Sequence, residues 1–245
     1  MRQRLDQVLV TRGLVQSRAR AADLIARGAV AVAGRVARKA GLMVEPDVQV
    51  TVDALANAYV ARSGVKLVAA LDAFGFNASR RVTLDVGAST GGFTQVLLEA
   101  GATRVYAVDV GHGQLHETLR ADPRVVSMEG QDARELTRQV LPDPVEAIVA
   151  DVSFLSLRQA LPVPLKLAAP SCWLVALVKP QFEAGRAAIG KRGVVRDESA
   201  QTRAAGDVAA FLQAAGWRVV GTIPSPLPGK EGNTEWLIGA VLGNG

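Results

Sequence analysis

The sequence predicts an α/β protein in two parts: a large, mainly parallel sheet with helices on both faces, preceded by a small α+β module. Three observations carry this. From Val82 onward, strand-like runs alternate with helical ones ("RVTLDVG", "RVYAVDVG", "VEAIVADVS", "CWLVALVKP"), the order that builds a parallel sheet through crossover helices. The first stretch reads instead as two short helices followed by alternating valines. Charge separates the same two parts: residues 1–39 hold nine Lys and Arg against two Asp, so the net +5 of the chain is +7 at this end and −2 over the rest. Such a localised basic segment points to a polyanionic partner.

The elements follow in order. In "RLDQVLVTRG", Leu5, Val8 and Leu9 lie at helical spacing and Gly13 stands where a C-terminal cap belongs. "SRARAADLIARG" repeats the plan, with Ser17 as N-cap, Ala21, Leu24 and Ile25 inside, and Gly28 at the end. Val30 and Val32 alternate before a turn at Gly34, and Val48, Val50 and Val52 alternate in a later strand. This module spans residues 1–53, a link covers 54–61, and the second unit runs over 62–245. Its last two strands, "WRVVGTIPSPL" and "EWLIGAVLG", are expected to add an antiparallel edge. Arg4, Arg12, Arg18, Arg20, Arg27 and Arg35 lie in and around the helical hairpin with few acidic neighbours, and are the expected contacts to the polyanionic partner. A merely solvated helix face is the alternative, although such faces usually mix both signs.

Several classes are disfavoured. Apolar residues make up 49% of the chain, yet no apolar run nears the roughly 18 residues of a membrane span. The N-terminus lacks the apolar core and cleavage site of a secretory signal, so a cytoplasmic, membrane-free protein is expected. The lone Cys172, in "CWLVALV", reads as a buried inert thiol. His112 and His116 have a spacing that can hold zinc on a helix, but no third ligand accompanies them, and no metal is expected.

The chemistry centres on "VTLDVGASTGG", in which a strand ending at Asp85 and Val86 runs into Gly87, Ala88, Ser89, Thr90, Gly91 and Gly92, with a helix opening at Phe93. A dinucleotide fingerprint needs glycine in the middle position so that a pyrophosphate can approach. Here that residue is Ser89. Asp109 ends the next strand, where a carboxylate can accept both hydroxyls of a ribose, and Asp132 follows the third, within reach of an adenine amine. A ribose without a demanding pyrophosphate fits S-adenosylmethionine better than NAD. The expected cofactor cradle is therefore Asp85, Gly87, Ala88, Ser89, Gly91, Gly92, Phe93, Asp109, Asp132 and Asp151. The fourth strand ends in "ADVSFLSL", with Asp151 where base-modifying enzymes often carry a short aromatic motif, and the fifth ends in "LVKPQFE", with Lys179 emerging from an apolar run. Burial favours the neutral form of an amine, which is the form able to act as a base. A structural ion pair between Asp151 and Lys179 is the bland alternative.

Two resemblances add to this reading. "RLDQVLVTRGLVQSRARAADLIARGAVAVAGR" resembles the small RNA-binding domain named after ribosomal protein S-four, with "VAG" in place of the usual "VNG". The stretches "YVARSGVKL", "LDVGASTGGFTQVLLEAGATRVYAVDVGHGQL", "DVSFLSL", "LVKPQFEAGR", "GVVRD" and "GNTEWL" resemble the TlyA family of FtsJ-like RNA 2′-O-methyltransferases, also called hemolysin A. The resemblance implies a Rossmann-like S-adenosylmethionine-dependent methyltransferase domain. It also implies a Lys-Asp-Lys-Glu tetrad at Lys66, Asp151, Lys179 and Glu235, with Lys179 as proton acceptor or oxyanion stabiliser oriented by Asp151. The implied substrate is ribosomal RNA or a ribosomal subunit, at a cytidine. His112, Ser63 and the pair Gln131-Asp132 depart from the family pattern. A non-catalytic RNA-binding or ribosome-assembly factor, a membrane-lysing hemolysin and an NAD-dependent oxidoreductase remain as alternatives, and oligomeric state is left open.

Overall fold

The computed structural model describes residues 2–15, 17–54, 58–185, 188–190, 193–229 and 232–243. The chain forms two compact units, Met1–Arg62 and Ser63–Gly245.

In the first unit, β1 (Gln3–Arg4) leads into α1 (Leu5–Thr11) and α2 (Arg18–Arg27), followed by β2 (Val30–Val32), β3 (Arg35–Val36), β4 (Met43–Val44) and β5 (Val50–Val52). The Ser17 side chain accepts a bond from the Arg20 N–H, and Gly28 closes α2 in the left-handed region at φ 77°. β2 and β3 meet through Ala33 and Gly34, both at positive φ (48° and 76°), as a two-residue hairpin turn demands. Leu5, Leu9, Leu24, Ile25 and Val30 are fully buried beneath this turn-rich shell. Residues 58–61, placed in the link by their sequence, and Arg62, placed in the second unit, cluster with this unit. The physical cause is visible: Arg20 Nη2 donates to the Tyr59 carbonyl at 2.7 Å and Arg27 Nη2 to that of Val60 at 3.2 Å. Of the expected link, residues 55–57 lie outside the described residues.

The second unit opens with α3 (Ser63–Phe74), then β6 (Val82–Val86), α4 (Gly92–Glu99), β7 (Arg104–Asp109), β8 (Val125–Glu129), β9 (Val145–Ala150), β10 (Ala168–Val178), α5 (Glu198–Ala214), β11 (Trp217–Pro224) and β12 (Trp236–Leu242). One seven-stranded sheet has the order β11-β12-β10-β9-β6-β7-β8. β6 to β10 are parallel, whereas β12 pairs antiparallel with both β10 and β11. The last two strands are thus not a simple antiparallel edge: β12 inserts inside, and the outer β11 runs with the parallel set. Burial explains the exchange. Leu237, Ile238 and Ala240 of β12 are fully buried, while β11 alternates buried or half-buried with exposed residues, as an edge strand should.

The chain leaves β6 in one direction through β7 and β8, and returns to its other side with β9. Such a reversal opens a crevice at the carboxyl ends of the two central strands, the usual ligand site of this architecture. Among the described residues, no helix is long and apolar enough to cross a membrane.

Candidate active site

Gly87 follows β6 directly, and the register of Val86 opposite Ala150 brings Asp151 alongside it. Gly87 adopts φ +84°, and a Cβ built there would stand 2.7 Å from the Asp151 carbonyl oxygen. Only glycine lets the turn and the end of β9 approach so closely. The Gly87 and Ala88 N–H groups both donate to the Val108 carbonyl, which ties the turn to β7 as well. Ser89, also at positive φ (48°), donates its N–H to Asp109 Oδ2 at 2.8 Å, and Gly111 donates to Oδ1 at 2.7 Å. Each oxygen of Asp109 therefore holds one backbone donor and keeps a lone pair for a ribose hydroxyl.

A cavity of about 610 Å³ lies over this turn, lined by Gly87, Ser89, Asp109, Gln131, Asp132 and Asp151 among others. It has the size for a nucleoside-containing ligand. Asp132 reaches the cavity with its carboxylate already held by Arg134 through Nε and Nη2, so a purine amine bound there would have to share it. Asp85, Gly91 and Gly92 line neither this cavity nor the smaller one beside it. Gly91 instead turns the chain at φ +95° against Leu115 and Leu119, and Gly92 begins α4.

The smaller cavity, about 160 Å³, shares Gly87, Ser89, Asp151 and Ser153 with the first and adds Ala88, Phe93 and Lys179. Lys179 Nζ lies 2.7 Å from Asp151 Oδ1 and donates to Ser153 Oγ at 2.8 Å. Ser153 was not singled out by sequence, because a lone serine in "DVSF" has no spacing that marks it. Lys66 and Glu235 form a second ion pair, almost wholly buried, and neither lines these two cavities. The pairing of Val178 with Trp236 sets Lys179 and Glu235 at the same end of adjacent strands. Asn233, also missed by sequence reading, is 1% exposed. It accepts from the Val195 N–H and donates to the Gly193 carbonyl, joining "GVVRD" to "GNTEW".

The six arginines of the first unit divide. Arg4 and Arg18 are half-exposed and both bind Asp6. Arg12 donates to the carbonyls of Pro46 and Val48, and Arg35 lies on the exposed β3. Arg20 and Arg27 both bind Asp23, besides the Tyr59 and Val60 carbonyls. Burial lowers the Arg27 guanidinium to about 10, with Arg20 and Arg62 adding repulsion.

The description "FtsJ-like methyltransferase" matches residues 59–241, and "S4 domain" matches residues 3–50. The chain belongs to the FtsJ-like methyltransferase family. It is 46% identical over 238 residues to the 16S/23S rRNA (cytidine-2′-O)-methyltransferase TlyA of Mycobacterium tuberculosis, covering 97% of this chain and 89% of the relative. Hemolysin A of Brachyspira hyodysenteriae is 38% identical, over 98% of this chain and the whole of the relative. The solved structure of a Streptococcus thermophilus protein described as a hemolysin superposes with a TM-score of 0.78 at 37% identity, covering 99% of this chain and 89% of that one.

In this FtsJ-like methyltransferase, Asp85 stands behind the turn. It is fully buried, accepts from Thr94 Oγ1 at 2.7 Å, and leaves Oδ1 without a partner. Burial, opposed by the Thr94 hydroxyl and reinforced by Asp151, pushes the carboxyl up to about 7. The folded state thus keeps a proton that the unfolded chain gives up near its ordinary value of 3.8. Stability from this group is complete below about pH 4, declines as pH rises toward 7, and is level above. Asp85→Asn is expected to melt about 4 °C above the parent at pH 8, with the gap closing only by about pH 4 in thermal denaturation. His112 and His116 are not on one helix: His116 caps the helix Glu117–Arg120 and bonds Thr118 through Nδ1. Among the described residues, no group of three or more His, Cys, Asp and Glu side chains is placed to hold a metal ion.

Proposed function

We propose that this chain is an S-adenosylmethionine-dependent ribose 2′-O-methyltransferase acting on a cytidine of ribosomal RNA, held through its N-terminal module. The observation that carries the reading is the Lys179–Asp151 pair, set at the edge of a small cavity that opens beside the glycine turn. The larger cavity suits the cofactor: Asp109 keeps a lone pair on each oxygen for the ribose, the close-packed Gly87 leaves room at the turn, and Asp132 faces the purine. Bound there, S-adenosylmethionine supplies a sulfonium methyl, an electrophile that needs no further activation.

The protein must then orient a weakly nucleophilic hydroxyl and accept its proton. As an ammonium, Lys179 donates one N–H to Ser153 and forms a 2.7 Å ion pair with Asp151 Oδ1, an oxygen that has no hydrogen-bond partner. A remaining N–H is free in this account to hold the 2′-oxygen as negative charge develops there, and the hydroxyl proton passes to the Asp151 carboxylate. Lys66 and Glu235 support the end of β12 next to this pair, and their burial keeps them from solvent.

The test is transfer of tritiated methyl from S-adenosylmethionine to purified ribosomal subunits. A 2′-O-methyl group blocks alkaline cleavage at its own nucleotide, so the label is expected at one alkali-resistant position. Label on a base, with the backbone there still cleaved by alkali, overturns the ribose assignment.

A further inference from the structure

We propose that Asp6 is a positioning residue for RNA binding, one buried carboxylate that fixes Arg4 and Arg18 as a two-armed clamp for phosphate; the inference rests on the RNA-binding reading above. Asp6 is 4% exposed, unusual for a lone aspartate on a short helix. Its Oδ1 and Oδ2 accept Nε and Nη2 of Arg4 at 3.0 Å each, a bidentate fork, and Oδ2 also accepts Nη2 of Arg18 at 2.9 Å. The two Nη2 atoms share one oxygen and so stand no more than about 6 Å apart, within reach of a single phosphate group. The Arg4 fork is held from another side too: a Cβ built on Gly41 would stand 3.2 Å from Arg4 Nη1.

The carboxylate is inside and the cations are outside. The Arg4 and Arg18 side chains are 45% and 55% exposed, against 6% for that of Asp6. Of five N–H donors on each guanidinium, Arg4 spends two on Asp6 and Arg18 one, and the cluster keeps a net charge of +1. The hydrogen bond from Arg4, with help from Arg18, holds the Asp6 carboxyl down at about 2, so the anchor stays charged at any working pH. A free surface arginine surrenders most of its rotamer freedom on meeting a phosphate, whereas one already pinned surrenders less. The same logic separates this pair from Arg20 and Arg27, whose donors are turned to carbonyls of their own chain.

The test exploits a contradiction in sign. Asp6→Asn removes a negative charge from a basic module, and simple electrostatics predicts tighter RNA binding. Positioning predicts the opposite, because the amide turns a donor toward the Arg4 fork and frees both arms. Filter binding of the full chain to purified ribosomal subunits is expected to weaken about tenfold in Asp6→Asn, with S-adenosylmethionine affinity by calorimetry unchanged. In an Arg4→Gln/Arg18→Gln background the same substitution is expected to change nothing further, whereas a general structural defect would weaken binding in both backgrounds. Binding as tight as the parent's or tighter, or an equal loss in the two backgrounds, overturns the proposal. If Asp6→Asn melts below the assay temperature, Asp6→Glu keeps the charge but displaces the forks. It is expected to weaken binding about threefold, and full parental affinity would overturn the proposal in its turn. A parent chain that binds S-adenosylmethionine but neither subunit overturns the RNA reading, and the Asp6 proposal with it.

Discussion

Replacing Lys179 with alanine is expected to lower the rate of methyl transfer about a thousandfold while cofactor affinity stays within about threefold of the parent's. The asymmetry follows from where Lys179 sits. It lines the small cavity and not the large one, so its loss is expected to remove the proposed hold on the reacting oxygen while leaving the lining of the large cavity in place. Asp151 loses its partner as well, since Lys179 Nζ lies 2.7 Å from its Oδ1. Single-turnover transfer to ribosomal subunits, beside calorimetric titration with S-adenosylmethionine, separates the two effects. A rate within tenfold of the parent would remove Lys179 from the chemistry and leave the pair a structural one. Lys66 is a poorer probe of the same mechanism. It is 4% exposed and paired with a Glu235 that is equally buried, and breaking such a pair costs roughly 3–5 kcal/mol because a charge is stranded.

The contrast between these two lysines marks what sequence can and cannot reveal. Of the four tetrad positions, Asp151 and Lys179 were legible as candidates because each follows an apolar run at a strand end, whereas Lys66, on α3, and Glu235 were marked only by the family resemblance. Their arrangement as two separate pairs was not legible, since it depends on how β12 enters the sheet. β12 lies beside β10 because its residues are apolar on both faces, a preference visible in "WLIGAVL" only once the alternating "WRVVGTIP" competes for the same interior place. Charge counting likewise found the basic module but not its division of labour. Arg20 and Arg27 look like Arg18 in one dimension, yet they meet carbonyls 39 and 33 residues further along the chain. Asp85 reads as part of the cradle because it precedes the turn, but strand alternation points it inward, to Thr94.

Gly87→Ala carries the other large effect, and it tests what the glycine turn holds. If the turn served only to let the cofactor approach, a methyl group there would weaken cofactor binding and little else. The geometry requires more: at φ +84° alanine is strained, and its Cβ would lie 2.7 Å from a backbone oxygen of Asp151, which cannot swing aside as a side chain can. Relief must come from separation of β6 and β9 at the point where Asp151 N–H bonds the Val86 carbonyl at 3.0 Å. That movement carries Asp151 away from Lys179 and deforms both cavities, because Gly87 and Asp151 line each of them. The expected result is a loss of at least about 30-fold in cofactor affinity together with a drop of about a hundredfold in transfer rate at saturating cofactor. A variant that regains the parental rate once cofactor is saturating would confine the role of Gly87 to the cofactor. Failure to regain it means that the turn also sets the reacting pair, so that one glycine couples the place where the methyl donor binds to the place where the proton is removed.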